Sequence, residues 1–227
     1  MKRIIKKSIA VIMTCVLAAG AATLPTTAHV GDLHNGNNGY NNADIRIRVA
    51  DSALSLNFVN LGTFTPLMSS NNQGWNGKSS KVKIVDVGKN VTGQNVVTVV
   101  GEHRALEVTT DGRMYYTLAY VRPIDINGTP REMDENWHSA SIRMNINPNA
   151  WSGTNASKDE DFRRTIRHEV GHLFKLAHPH NNKYYSQHIY DGYPSAVMNQ
   201  TSVTAPGAVS ATITTHDTSC LTTRWGN

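Results

Sequence analysis

Apolar residues recur at every second position in several short runs of the chain before residue 148. Ile45, Ile47 and Val49 alternate in IRIRVAD (45–51), the two-residue period of a β-strand. KVKIVDV (81–87) and NVVTVVGEH (95–103) predict two more strands. RALEVTT (104–110) and MYYTLAYV (114–121) predict a hairpin, with Asp111-Gly112 as its turn signal. In 139–147, Ile142, Met144 and Ile146 face one way until Pro148 stops the strand.

The period then changes. On a helical wheel of 161–175 with His168 at zero, His172 falls at about 40° and Glu169 at about 100°. Phe162, Leu173, Ile166, Val170 and Phe174 spread from about 120° to 240°. One face packs inward, and the two histidines and Glu169 share another. Asp159 or Asp161 is a reasonable start signal for this helix. Residues 62–75 carry a helical signal weakened by Pro66 and Gly74. Strands first, then one strong helix, then a loop-rich tail predict an α+β fold with a mixed or antiparallel sheet packed on the helix.

The first 28 residues stand apart. Lys2, Arg3, Lys6 and Lys7 precede an apolar run, Ser8–Leu24, and Thr26-Thr27-Ala28 suits a signal peptidase. The run's 17 residues fall short of the about 20 that span a bilayer. The expectation is a secretory signal over 1–28, a flexible Gly/Asn-rich leader over 29–43 and one domain over 44–227, exported and extracellular. Four of the 22 basic residues and none of the 17 acidic ones lie in the signal, so the formal charge of +5 drops to +1 once it is removed. The high pI of about 9.2 is therefore largely the signal's. That removes the case for nucleic acid or an anionic membrane as partner. Cys15 lies in the signal, so Cys220 alone remains and no internal disulfide can form.

Chemistry concentrates in HEVGHLFKLAH (168–178). Residues i and i+4 share one side of a helix, so His168 and His172 can reach one ion. Glu169 then flanks the position of a bound water. A catalytic zinc takes three protein ligands and keeps one position open. After Glu169 the chain holds no glutamate, so the third ligand comes from His178, His180, His188, His216, Asp191 or Asp217. His178 lies six residues beyond His172, room enough for the chain to leave the helix and return, and is preferred; His180 is its nearest rival.

This segment resembles the long zinc signature of the metzincin metallopeptidases, in particular bacterial secreted members of the matrixin-like branch. Pro194-Ser195-Ala196-Val197-Met198-Asn199 is similar to the family's methionine turn, and 215–226 is similar to its closing helix. The resemblance covers roughly 137–226; upstream it is topological. It implies a zincin-like fold: a twisted mixed sheet on an active-site helix, with a loop-rich C-terminal subdomain ending in a helix. It implies zinc on His168, His172 and His178, Met198 as a supporting floor, and 139–147 as the edge strand that aligns an extended peptide. Lys175 departs from the pattern, because the family has glycine there. A lysine at positive φ costs about 1–2 kcal/mol, against metal binding of about 10 kcal/mol or more. Gln200 stands where a tyrosyl ligand would be.

The expected activity is that of a zinc-dependent endopeptidase. One zinc ion acidifies a water and polarises the scissile carbonyl, and Glu169 takes the water's proton and returns it to the leaving amine. Tyr190 and Tyr193 could assist the oxyanion, but surface or loop-packing roles are preferred for them. With no cysteine over 29–219, a thiol cannot hold the zinc latent. The protein is expected to be a monomer acting on protein or peptide, with no nucleic-acid partner and no stable membrane association after signal cleavage. Ca2+ stays open, with no residue pattern in its support. The rival readings are a catalytically inactive, zinc-stabilised secreted binding protein, and a zinc enzyme acting on a non-peptide bond. Retention of Glu169 argues against the first, since metal binding alone does not require it.

Overall fold

The computed structural model describes residues 44–49, 74–87, 91–108, 112, 114–133, 135–178, 196–198 and 212–226. The expected signal and leader, residues 62–73, Tyr190 and Tyr193 lie outside the described residues.

Strands β1 (Asp44–Val49), β2 (Lys83–Asp86), β3 (Val96–Glu102), β6 (Ala119–Ile124) and β7 (Ser139–Asn145) form one sheet in the order β2-β1-β3-β7-β6. The first four in that order run parallel, and β6 alone pairs antiparallel, with Ala119 opposite Met144 and Ile124 opposite Ser139. The fold is therefore α+β with a mixed sheet. In the sheet's interior, Val97 and Val99 on β3 and Ile142 and Met144 on β7 are fully buried. The β-branched run VVTVV suits a strand covered on both faces.

The predicted hairpin forms with another register. β4 (Glu107–Val108) pairs with β5 (Met114–Tyr115) in a separate ribbon, and Val108 lies opposite Met114. Five residues therefore lie between the paired positions Val108 and Met114. The ribbon exposes Val108 and Met114, so no burial extends its strands to the predicted lengths. MYYTLAYV likewise breaks, because β6 starts only at Ala119.

Helix α1 (Asn155–Leu173) begins earlier than the acidic start signal suggested, because Thr154 is its N-cap and accepts the Ser157 N–H. Pro148–Ala150 form a 3-10 turn ahead of it. Phe162, Ile166, Val170 and Leu173 form the buried stripe that the wheel placed inward, lying against β6 and β7. Trp151 packs on Phe162 with ring centroids 5.3 Å apart. Trp75, fully buried in a turn before β2, donates its indole N–H to the Arg167 carbonyl at 2.9 Å and meets Phe174 edge-on.

Helix α2 (Thr215–Trp225) opens with a capping box, in which Thr214 and Asp217 each satisfy the other's backbone N–H. Its other end reaches α1, where the Trp225 indole N–H donates to the Phe174 carbonyl at 3.0 Å. That closes one of the carbonyls a helix C-terminus leaves open.

One expectation about the sheet is corrected. The strand expected to align a peptide, 139–147, is β7, and both its edges are taken, by β3 and β6. The edge strand beside α1 is β6. The Asn145 N–H donates to the Leu118 carbonyl, so in an antiparallel ladder the even positions of β6 bond to β7 and the odd ones face outward. Pro123, which has no N–H, sits at an outward position, and its carbonyl accepts from Arg131.

Candidate metal centre

His168 and His172 stand one turn apart on the last turns of α1, and the chain must reverse to bring His178 back. The reversal is a Schellman turn. The Lys175 N–H donates to the His172 carbonyl at 2.9 Å and the Leu176 N–H to the Gly171 carbonyl at 3.1 Å. Lys175 occupies the left-handed position with φ 67°. The lysine thus takes the conformation that glycine favours, at a cost of about 1–2 kcal/mol.

The three rings converge on one point. Nε2 of His168 lies 2.7 Å from that of His178 and 3.1 Å from that of His172, and the His172–His178 separation is 2.9 Å. Backbone carbonyls fix the tautomers of two of them. His168 Nδ1 lies 2.9 Å from the Val197 carbonyl and His172 Nδ1 lies 2.8 Å from the Leu176 carbonyl. A carbonyl only accepts, so each Nδ1 carries the proton and each neutral ring turns a lone pair inward at Nε2. Lone pairs about 3 Å apart repel unless a cation lies between them. The donor set therefore fits a metal ion, and the three histidines lie close enough to bind one.

Of the other third-ligand candidates, His216 and Asp217 are buried on α2, away from the cluster. His216 Nε2 lies 3.6 Å from Cys220 Sγ. His180, His188 and Asp191 lie outside the described residues.

Glu169 is 5% exposed and turns toward β6, where the outward N–H of Val121 donates to its carboxylate. Burial pushes its pKa up to about 8, against the pull of the Val121 N–H. A cation on the neighbouring rings would favour the ionised form.

Met198 is buried beneath α1. A Cβ on Gly171 would lie 2.2 Å from Met198 Sδ and 3.0 Å from the Trp75 ring. The glycine between the two helical histidines is therefore what lets the 196–198 turn approach the helix. Asp217 holds that turn from the other side. Its Oδ2 accepts the Val197 N–H at 3.0 Å, the Thr214 N–H at 2.8 Å and the Thr214 hydroxyl at 2.6 Å, and its Oδ1 accepts the Met198 N–H at 3.4 Å. Val197 in turn offers its carbonyl to His168, so a chain of contacts runs from α2 to a ring of the site.

Sequence reasoning missed Val121, Val197 and Leu176, which act through backbone atoms and leave no residue-type signal. It also passed over Gly171 and named Asp217 only as a candidate ligand, though signals for their roles existed: a glycine inside a helical pattern, and the spacing Thr214-x-x-Asp217 of a capping box.

No family model matches the chain, and no curated protein matches it. Among solved structures it is similar to a chain of the "GM1 bound form of the ECX AB5 holotoxin", at 17% identity with a TM-score of 0.36. The alignment covers 69% of this chain and 60% of that one, so this chain spans 60% of that chain's length. A likeness of that size identifies neither a fold family nor an activity, and the reading of the site rests on its own geometry.

Proposed function

We propose that the chain is a secreted, zinc-dependent endopeptidase of metzincin-like type with a zincin-like fold. The observation that carries this reading is the convergence of the His168, His172 and His178 Nε2 atoms beside the buried carboxyl of Glu169. Separations of 2.7–3.1 Å lie a few tenths of an ångström inside the about 3.3 Å expected for imidazoles around tetrahedral zinc with bonds of about 2.0–2.1 Å. A zinc ion there would supply Lewis acidity, making a water more acidic and polarising a carbonyl.

The chain's own groups divide the remaining work. Glu169, in its carboxylate form, takes the proton from the attacking water and gives it to the leaving amine. The Val121 N–H holds that carboxylate beside β6. On the outer edge of β6 the Val121 N–H goes to Glu169 and the Pro123 carbonyl to Arg131, so backbone pairing with an extended peptide would be confined to Ala119 and the Val121 carbonyl. Val197 and Leu176 keep the first two rings facing the ion. The antiparallel edge strand beside a helix carrying HEVGH supports the zincin-like reading, and the charged and apolar pattern of residues 1–28 supports export.

The test combines metal analysis of the purified protein with casein and gelatin digestion, with and without a chelator. The expected outcome is one zinc per chain and hydrolysis that chelation stops and zinc restores. A zinc-loaded protein that cleaves neither substrate would leave the inactive binding protein in its place. A protein that takes up no metal would end the reading of the site.

A further inference from the structure

The β6–β7 connection, residues 125–138, contains a compact turn. Trp137 donates its indole N–H to the Glu132 carbonyl at 2.9 Å, and the Glu135 N–H donates to the same carbonyl at 3.2 Å. Into this turn reaches Lys175, whose ammonium donates to the Met133 carbonyl and, at 3.3 Å, to the Glu135 carbonyl. It also lies 4.3 Å from the centroid of the Trp137 ring. Lys175 is 0% exposed, and Trp137 is buried beside it.

A lysine is a costly choice here on two counts. Its left-handed backbone is a conformation that glycine adopts without strain. Its ammonium leaves water, which is tolerable only among compensating groups. Strained backbone persists where the surrounding structure over-determines it. Here two carbonyls and an aromatic face supply that compensation, the ring by cation–π attraction. A cation is also favoured at the C-terminal end of α1 by the helix dipole.

We infer that Lys175 is a positioning residue, a pin that fixes the turn carrying His178 to the β6–β7 connection and so sets where the third imidazole stands. Two residues separate Lys175 from His178, and the carbonyl of the first of them, Leu176, orients His172. The pin also joins the two walls of the site, the end of α1 and the chain leaving β6, whose Val121 holds Glu169. The inference rests on the three-histidine reading of the site and not on the peptidase reading.

The test uses Lys175→Met, which keeps the buried stem without the charge, and Lys175→Gly, which relieves the backbone and removes the pin. Lys175→Arg is the conservative control. Zinc affinity is read by chelator competition, ligand geometry by the visible spectrum of the Co2+-loaded protein, and mobility of the turn by amide exchange at Leu176, Ala177 and His178 in metal-free protein. Expected are a loss of zinc affinity of about 10-fold or more for Met and for Gly, an altered cobalt spectrum, faster exchange at the turn than at Val99 and Ile142, and substantial rescue by Arg. A lower melting temperature with wild-type affinity, cobalt spectrum and turn exchange would reduce Lys175 to a packing role and overturn the inference. Should the wild-type protein take up no ion, the three-histidine site fails; unchanged exchange at the turn in the metal-free variants then overturns the pin, and faster exchange upholds it.

Discussion

The backbone of Gly171 and the sulfur of Met198 touch so closely that a Cβ on the glycine would lie 2.2 Å from Sδ. The helix that carries His168 and His172 and the turn beneath it are thus fitted at a position with no room for a single methyl group. Gly171→Ala is expected to destabilise the protein by about 1–3 kcal/mol through overpacking, despite alanine's better helix propensity. Adding Met198→Ala frees the space, so the double variant should lose less than the sum of the two single losses, with a coupling of about 1–2 kcal/mol. Denaturant unfolding of the four proteins measures it, and strict additivity would show that the contact is slack.

Glu169→Gln keeps the shape of the side chain and an oxygen for the Val121 N–H but cannot take up a proton from water. Peptide hydrolysis is expected to fall about 10²- to 10⁴-fold with zinc still bound. Metal analysis and kinetics on the same preparation decide it. Full activity would remove Glu169 from the mechanism.

Asp217 gathers four donors, two of them from the 196–198 turn. Asp217→Ala is expected to cost about 2–4 kcal/mol, because it leaves the Val197 N–H buried without its acceptor. The carboxyl also carries a pH signature. Burial raises its pKa, with the Thr214 and Val197 donors pulling it back. Between the ordinary aspartate value of about 3.9 and the raised one, the folded state keeps a proton that the unfolded state has released. Stability therefore falls as pH rises through that window, by at most about 1.4 kcal/mol per unit. Asp217→Asn cannot ionise and should lack this fall, which parallel thermal melts across the window would reveal.

Three imidazoles must be unprotonated to bind an ion. Zinc affinity is expected to weaken as pH drops below about 6.5, by up to about tenfold per unit for each ring that titrates. The melting temperature gained from zinc should shrink in step, since an ion at free concentration c that binds only the folded state stabilises it by RT ln(1 + c/Kd), which falls as Kd rises. Competition titrations at about pH 7.5 and pH 5.5 provide the check, and an affinity indifferent to pH would mean that the ligands are not imidazoles.

The sequence by itself determined the parts of this protein that repeat with a period or need a particular side chain. Alternation located β1 and β7, short runs rich in Val and Ile located β2 and β3, and the 3.6-residue period located the inward stripe of α1 from Phe162 to Leu173. The i, i+4 spacing put His168 and His172 on one face, and the absence of any later glutamate turned attention to His178. Tertiary structure decided what depends on neighbours distant in the chain. It placed β7 in the sheet's interior and β6 at its edge, because a strand's place is set by its pairing partners and not by its own pattern. It shortened the β4–β5 hairpin, because strands without a buried face gain little from extension. It set Lys175 in a conformation that its residue type disfavours, because carbonyls and an indole some 40 residues upstream hold the ammonium. The groups that aim the rings and hold the glutamate, Val197, Leu176 and Val121, act through main-chain atoms that every residue carries, so only the folded backbone selects them.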